Sequence, residues 1–476
     1  MTERDFMSVS FYSLGAVEEV TGSKHVLEVD GRSYLIDYGA FQGKRAVADQ
    51  KNRQIDISPD KVEAVILTHA HYDHCGLLPY FVKNGYKGNI YATPATRSLA
   101  NLIMMDSAHI QARDAEFLRK KAKEKGKEFD WEPLFTESDV TVTSNQMVGI
   151  SYHRPISVGP DVKLEFFDAG HILGSAMALI TVYEGKENEV KILFTGDLGR
   201  KNKPIIRDPD PMPAADYVVL ESTYGNRLHE SHDEAMAGLG RITTDIVKTG
   251  GKIIIPSFAV ERTQELIYYF HLLQDAGAVP EIPIFIDSPM AVNATSIFQV
   301  HPECYDKETY DAFLKHHKNP FGFNMLSFIS NTEESKALND RKGPMIIISA
   351  DGMCEAGRIL HHLANNIEKK ENTILIVGYM AENTLGRRIK NRAEEVKIFG
   401  EIHPVRAKIE EINAFSAHAD YKEIGEWLDE GDDSRLKGIF LVHGEPDSQN
   451  ALKKYLLNDG WPSVEIVRHD QIYTLR

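Results

Sequence analysis

Residues 68–76 read THAHYDHCG and close the apolar run VEAVILTHA (62–70). An apolar run ending in polar residues is the pattern of a buried strand that delivers side chains at its C-terminal end. Four of those side chains, His69, His71, Asp73 and His74, are of metal-ligand type. Imidazole and carboxylate are ligands that zinc takes, and catalytic sites keep a position for water. One centre cannot easily use all four from so short a turn. His69 and His71 on one metal, with Asp73 and His74 on another, is the easier geometry.

Two metals need further ligands, and the candidates are His171 in FDAGHILGS, Asp197 in FTGDLG and His443 in LVHGE. Each adjoins a glycine where a strand is expected to end, so the backbone can turn tightly and expose the side chain. Asp197 can bridge both ions, because a carboxylate has two oxygens. KILFTGD (191–197) and DYVVLEST (216–223) repeat the layout of VEAVILTHA: buried strand, then polar end. Open α/β sheets build their sites at the carboxyl ends of strands.

The rest of the chain frames this constellation. Residues 8–40 read as two strands and turns, with VSFYSL, HVLEV, a turn at Gly31 and SYLIDYG. From 225 to 403, apolar strands such as KIIIP, IPIFI, PMIIIS and NTILIV alternate with turns and helices, which predicts an α/β domain with a parallel sheet. Metal-type residues flank that stretch and are sparse within it. The expected organisation is therefore one domain, 1–224 and 404–476, interrupted by an inserted domain, 225–403. Residues 106–139 carry Arg119, Lys120, Lys121, Lys123, Lys125 and Lys127 on a helical segment closed by Trp131 and Pro133. Such a run suits a solvated helix face, and it also suits an RNA-facing surface.

Composition narrows the class. A chain of 476 residues with 42% hydrophobic content has room for two or three domains with their own cores. The opening MTERDFMSVSFYSL shows no basic segment followed by an apolar run, so no secretory signal is expected. No stretch approaches the roughly 18–20 apolar residues of a membrane span. Cys75, Cys304 and Cys354 stand singly, which indicates neither a disulfide framework nor a CxxC zinc site. A cytoplasmic setting is expected. The net charge of −16 argues against a general nucleic-acid binder. Bound cations and a few arginines can still reverse the sign within one cleft.

HAHYDH, AGHILGS and TGD resemble successive motifs of the metallo-β-lactamase superfamily, whose fold is an αβ/βα sandwich with the site at its edge. Asp37 in YLIDYG matches that family's first motif, an aspartate that orients a ligand histidine. Fold alone does not choose among the lactamases, thioesterases, lactonases and nucleases built on it. Glu221 in LESTYG, His418 in AFSAHAD and His443 in VHGE resemble motifs A, B and C of the β-CASP nucleases. PSFAVERTQE (256–265), SADGMCEAGR (349–358) and VGYMAENTLGRR (377–388) resemble segments of the β-CASP insertion. The similarity runs from Asp37 to His443, and is to the short forms without KH domains, similar to the endonuclease of mRNA 3′-end processing. Motif A carries Glu221 where many relatives carry Asp, which puts its hydrogen-bond geometry in question.

The resemblance implies a zinc-dependent ribonuclease with two zinc ions per chain. His69, His71 and His171 would hold one, Asp73, His74 and His443 the other, with Asp197 and hydroxide bridging. Hydroxide attack on phosphorus would expel the 3′ oxygen, leaving 5′-phosphate and 3′-hydroxyl ends, and two cations about 3.5–4 Å apart suit such an in-line displacement. His418, oriented by Glu221, is the candidate proton donor to the leaving oxygen. Ser257, Arg262, Ser349, Arg358 and Arg387 are candidate phosphate contacts, with internal hydrogen bonding as the competing role. His25, His153, His361, His362 and His403 receive no functional role. The expected partner is single-stranded RNA, with no membrane; a homodimer, RNA over DNA, and the native metal stay open. A 5′-exonuclease and a metal-dependent small-molecule hydrolase are the alternatives, and the second has no need of an inserted phosphate-binding domain.

Overall fold

The computed structural model describes residues 7–126, 129, 131–184, 188–315, 319–378, 380 and 384–476. Lys127 of the basic run, and Tyr379, Ala381, Glu382 and Asn383 of the segment 377–388, lie outside the described residues. The chain forms two compact units. The first comprises residues 1–201, 208–228 and 417–476, and the second residues 202–207 and 229–416.

Strands β1 (Val9–Gly15), β2 (Lys24–Val29), β3 (Arg32–Ile36), β4 (Val62–Ile66), β5 (Asn89–Ala92) and β6 (Met147–Gly149) open the first unit. They are followed by β7 (Ile156–Gly159), β8 (Val162–Asp168), β9 (Ala176–Glu184), β10 (Asn188–Phe194) and β11 (Tyr217–Glu221). Residues 8–40 thus hold three strands rather than two. Asp30 and Gly31, both at positive φ (47° and 75°), make the tight hairpin turn that separates β2 from β3.

In the second unit the strands are β12 (Lys252–Pro256), β13 (Ile284–Ile286), β14 (Leu326–Phe328), β15 (Met345–Ser349) and β16 (Thr373–Ile376). The hairpin β17 (Glu395–Ile398) and β18 (Glu401–Pro404) precedes β19 (Lys408–Glu411). β12 and β15 are buried at every position, as central strands of a parallel sheet covered on both faces must be. The sheet order is β14-β13-β15-β12-β16-β19. β19 pairs in parallel with β16, so this sheet continues beyond the boundary expected at residue 403. Residues 202–207 also belong here: Ile206 bridges to Tyr305, and Asp306 N donates to Ile205 O.

The chain then completes the first unit with β20 (Gly438–Val442), β21 (Val464–Ile466) and β22 (Tyr473–Leu475). Two seven-stranded sheets result, β22-β1-β2-β3-β4-β5-β6 and β21-β20-β11-β10-β9-β8-β7. β1 alternates buried and half-buried residues at period 2, facing one side to the core. Phe11, Leu27, Ile36 and Ile66 of the first sheet pack against Phe166, Ile180, Phe194 and Phe440 of the second. The C-terminal ends of β4, β8, β10, β11 and β20 carry the loops that hold the site. Ala176 N donates to Thr68 O at 2.9 Å, bringing the loop after β4 against the second sheet.

Candidate metal centre

The loop after β4 continues into one helical turn, Tyr72–Cys75, which sends His74 inward beside His69. Close backbone approach makes this possible: a Cβ on Gly39 would lie 1.6 Å from Asp73 O. Two site residues adopt left-handed backbone conformations, Asp37 (φ 61°) and His443 (φ 51°). Such conformations are uncommon outside glycine and gather where the surrounding structure fixes a functional side chain.

Seven side chains from four loops form two groups. In the first, His71 Nδ1 lies 3.0 Å from His69 Nε2 and 3.2 Å from His171 Nε2. Asp197 Oδ2 lies 3.4 Å from His69 Nε2 and 3.5 Å from His171 Nε2. In the second, His443 Nε2 lies 3.3 Å from His74 Nε2 and 3.5 Å from Asp73 Oδ2. Asp197 Oδ1 lies 3.4 Å from His74 Nε2. The two oxygens of Asp197 therefore face different groups. Its Oδ1 is buried and makes no hydrogen bond among the described residues, a costly state for a polar atom unless another ligand satisfies it. Imidazole nitrogens and carboxylate oxygens converging at these distances suit divalent metal ions.

The opposite edge of each ring explains why these nitrogens face one another. Asp37 Oδ2 accepts from His74 Nδ1 at 2.7 Å and from the Thr68 hydroxyl at 2.8 Å. Having donated to Asp37, Thr68 Oγ1 is left to accept from His69 Nδ1, 3.1 Å away. Thr223 Oγ1 donates to His443 O and accepts from His443 Nδ1, each at 3.1 Å. These partners favour a proton on Nδ1 of His69, His74 and His443, with Nε2 turned to the centre, whereas His71 turns its Nδ1 inward; outer partners fix a ligand tautomer in this way. Thr68 and Thr223 stand within the motifs THAHYDH and LESTYG, yet sequence alone does not show their hydroxyl directions.

Burial pulls the imidazoles of His69, His71 and His171 below their ordinary range, His71 to about 3, in spite of nearby carboxylates. They are thereby kept in the neutral form that binds metal. His74 goes the other way: burial opposes its charge, but Asp197 and Asp37 outweigh burial and hold a proton on the ring. A proton and a cation compete for the same Nε2.

Beside this cluster His418 Nδ1 donates to Glu221 Oε1 at 2.8 Å. Glu221 is fully buried and accepts two backbone N–H groups, Leu198 on Oε1 and Thr223 on Oε2, each at 3.0 Å. The longer arm of Glu at motif A thus reaches its histidine with good geometry. His418 Nδ1 is 3.9 Å from Asp197 Oδ2, and its ring stacks on Tyr224 at 5.9 Å and 22°. Burial opposes its charge, but Glu221 and Asp197 outweigh it, so the pKa is pushed up to about 9.

The five candidate phosphate contacts lie in the second unit, and each makes at least one internal hydrogen bond. Ser349 Oγ donates to Asp287 O at 2.9 Å, and Arg358 reaches Asp287 Oδ1 at 2.6 Å and Ser330 O at 2.7 Å. Asp287 also accepts from His362 Nε2 at 2.6 Å. Arg262 donates to Val377 O at 2.6 Å, Ser257 receives the Thr263 hydroxyl at 3.1 Å, and Arg387 points to Met380 O at 3.5 Å. His25, fully enclosed, bridges Ser13 and Ser23, and burial drives its pKa down to about 3.

Comparison with known proteins places this geometry in a family. Residues 22–256 match the metallo-β-lactamase superfamily, 263–389 the Beta-Casp domain and 402–464 the Zn-dependent metallo-hydrolase RNA specificity domain. Ribonuclease TTHA0252 of Thermus thermophilus is 36% identical over 442 residues, covering 93% of this chain and 94% of that protein. Transcription termination factor FttA of Methanothermobacter thermautotrophicus is 31% identical over 91% of this chain, which spans 66% of FttA. A solved Enterococcus faecalis protein of unknown function shares the fold over 99% of this chain, at TM-score 0.53 and 12% identity. The chain belongs to the β-CASP family of the metallo-β-lactamase superfamily.

Proposed function

We propose that this β-CASP protein is a ribonuclease that holds two zinc ions and cleaves single-stranded RNA internally, leaving 5′-phosphate and 3′-hydroxyl ends. The observation that carries the reading is the divided carboxylate of Asp197, one oxygen toward each group of imidazoles. His69, His71 and His171 would hold one ion, Asp73, His74 and His443 the other, and Asp197 both. Bound divalent cations supply a nucleophile generated from water near neutral pH and offset charge on the phosphoryl oxygens.

The protein's own part in the chemistry is positioning and proton supply. Asp37, Thr68 and Thr223 fix the ligand rings before substrate arrives. The departing 3′ oxygen is a basic alkoxide and needs a proton. His418 is suited to give it: Glu221 holds Nδ1, leaving the Nε2 N–H as donor. Glu221 raises the pKa of the ring, which favours the protonated form that an acid needs. The ribonuclease name of the Thermus relative and the RNA specificity domain support RNA as the substrate class.

Digestion of end-labelled RNA by zinc-loaded protein tests the proposal. Internal fragments with 5′-phosphates are expected. Release of mononucleotides from the 5′ end would replace endonuclease by exonuclease action. No cleavage of RNA beside hydrolysis of a thioester or lactone would overturn the reading.

A further inference from the structure

The helix Pro94–Glu124 starts at the metal loops and ends in charge. At its start, Thr93 Oγ1 and Thr96 Oγ1 each donate to Gly174 O at 2.7 Å, just beyond His171. Farther along, Ser107 Oγ donates to Tyr72 Oη at 3.0 Å, between His71 and Asp73 in sequence. The final turns read FLRKKAKEK (117–125), five cations against one carboxylate, in a chain of net charge −16. Arg119, Lys120, Lys121, Lys123 and Lys125 are all exposed. Lys120 stands about 20 Å along the axis from Ser107, at the usual rise of about 1.5 Å per residue.

Two features separate this end from an ordinary solvated helix. Among the described residues no carboxylate lies within ion-pair distance of the five cations, whereas Arg45 nearby is paired with Asp114 at 2.9 Å. Aromatic rings are interleaved with the charges: Lys121 Nζ lies 5.8 Å from the Phe117 ring centre, and Arg119 Cζ lies 5.8 Å from that of Phe129. Phe117 is 63% exposed. Cations for phosphates and open rings for base stacking are the two components of single-strand binding.

We propose that the basic end of this helix is a secondary RNA-holding surface, which grips the body of the substrate at a distance from the metal centre. The inference rests on the ribonuclease reading and adds to it a reason for preferring long RNA. A helix braced at both Gly174, in the loop that carries His171, and Tyr72 gives that grip a fixed distance from the site.

The test compares full-length protein with the triple variant Lys120→Gln/Lys121→Gln/Lys123→Gln. Fluorescence anisotropy reads binding of single-stranded RNA of about 30 nucleotides, and cleavage is followed on that RNA and on one of about 4 nucleotides. The variant should bind the long RNA about tenfold or more weakly near 0.1 M salt. The slope of log affinity against log salt should fall in magnitude by about 2, at about 0.7 per lost single-strand phosphate contact. Cleavage of the short RNA should be unchanged, and Arg at the same three positions should restore long-RNA binding. Phe117→Ser should weaken long-RNA binding severalfold without changing the slope. Unchanged affinity and slope in the triple variant overturn the proposal. So does polyglutamate binding as tightly as RNA with no effect of Phe117→Ser, which would make the patch a dock for acidic protein. Should the protein cleave neither RNA, the ribonuclease reading fails, and the anisotropy comparison still decides the basic helix.

Discussion

Replacing Asp37 by Asn tests how far the metal centre depends on a residue that touches no metal position. Asp37 accepts from Thr68 N on Oδ1 at 2.8 Å, and from Thr68 Oγ1 and His74 Nδ1 on Oδ2 at 2.8 and 2.7 Å. The amide has one oxygen for these three donors. If that oxygen faces His74, the new NH₂ opposes the Thr68 N–H; if it faces Thr68 N, the NH₂ opposes the His74 N–H. Either way two donors meet in a buried place, which costs about 1–3 kcal/mol. In the second case His74 relieves the clash by moving its proton to Nε2, the atom that faces Asp197. Loss of an outer partner of this kind typically weakens metal binding about 10–100-fold. The effect should fall mainly on the ion held by Asp73, His74 and His443, since His69 feels Asp37 only through Thr68. Zinc titration against a chromophoric chelator should show one site weakened and the other nearly unchanged, with a lower unfolding midpoint for the metal-free protein. Equal weakening at both sites, or none, would refute the orientation argument.

Three further outcomes follow from the same geometry. Asp197→Ala should lose metal and nuclease activity together, because both oxygens are withdrawn at once; elemental analysis checks this, and full activity with one ion per chain would exclude the two-metal mechanism. His418→Ala should keep its metal but cleave RNA about 10²–10⁴-fold more slowly, the usual worth of general acid–base catalysis, and lose much less on a nitrophenyl phosphodiester, whose leaving group needs no proton. Glu221→Gln removes the charge that raises His418, so its pKa should fall from about 9. The acid must be protonated to act, so the alkaline decline of activity should begin at lower pH in the variant than in the parent; an unchanged alkaline limb in a rate profile would remove His418 as the acid.

Much of the site's convergence was legible in the sequence, because strand ends concentrate it. The run 62–66 is apolar enough to be a strand, and the next polar residues must leave its end together. What stayed hidden depends on tertiary direction. Thr68 and Thr223 are ordinary hydroxyl residues until their neighbours fix which lone pair is left. Arg358 and Ser349 read as phosphate contacts by type, yet the buried carboxylate and carbonyl of Asp287 engage them. That the sheet of the second unit continues past residue 403 was hidden for a similar reason. β19, KIEE, is short and charged, and only its parallel pairing with β16 makes it part of that sheet.

Chain order adds a constraint that no single motif expresses. His418 and His443 come from residues 417–476, which return to the first unit after the whole insertion has been made. β20 pairs in parallel with β11, register Glu221 to Val442, so the carboxylate that orients His418 and the strand that presents His443 are neighbours in one sheet. β22 pairs with β1, closing the first sheet with the last residues of the chain. Pairings of such long sequence separation carry a large loop-closure entropy, which the contacts they make must offset. The HAHYDH turn can be in place while the second imidazole group still lacks His443 and the proposed acid is absent. Coupling the complete site to the last strands of the fold means that a nascent or C-terminally clipped chain would hold the first group of ligands without the means to cleave.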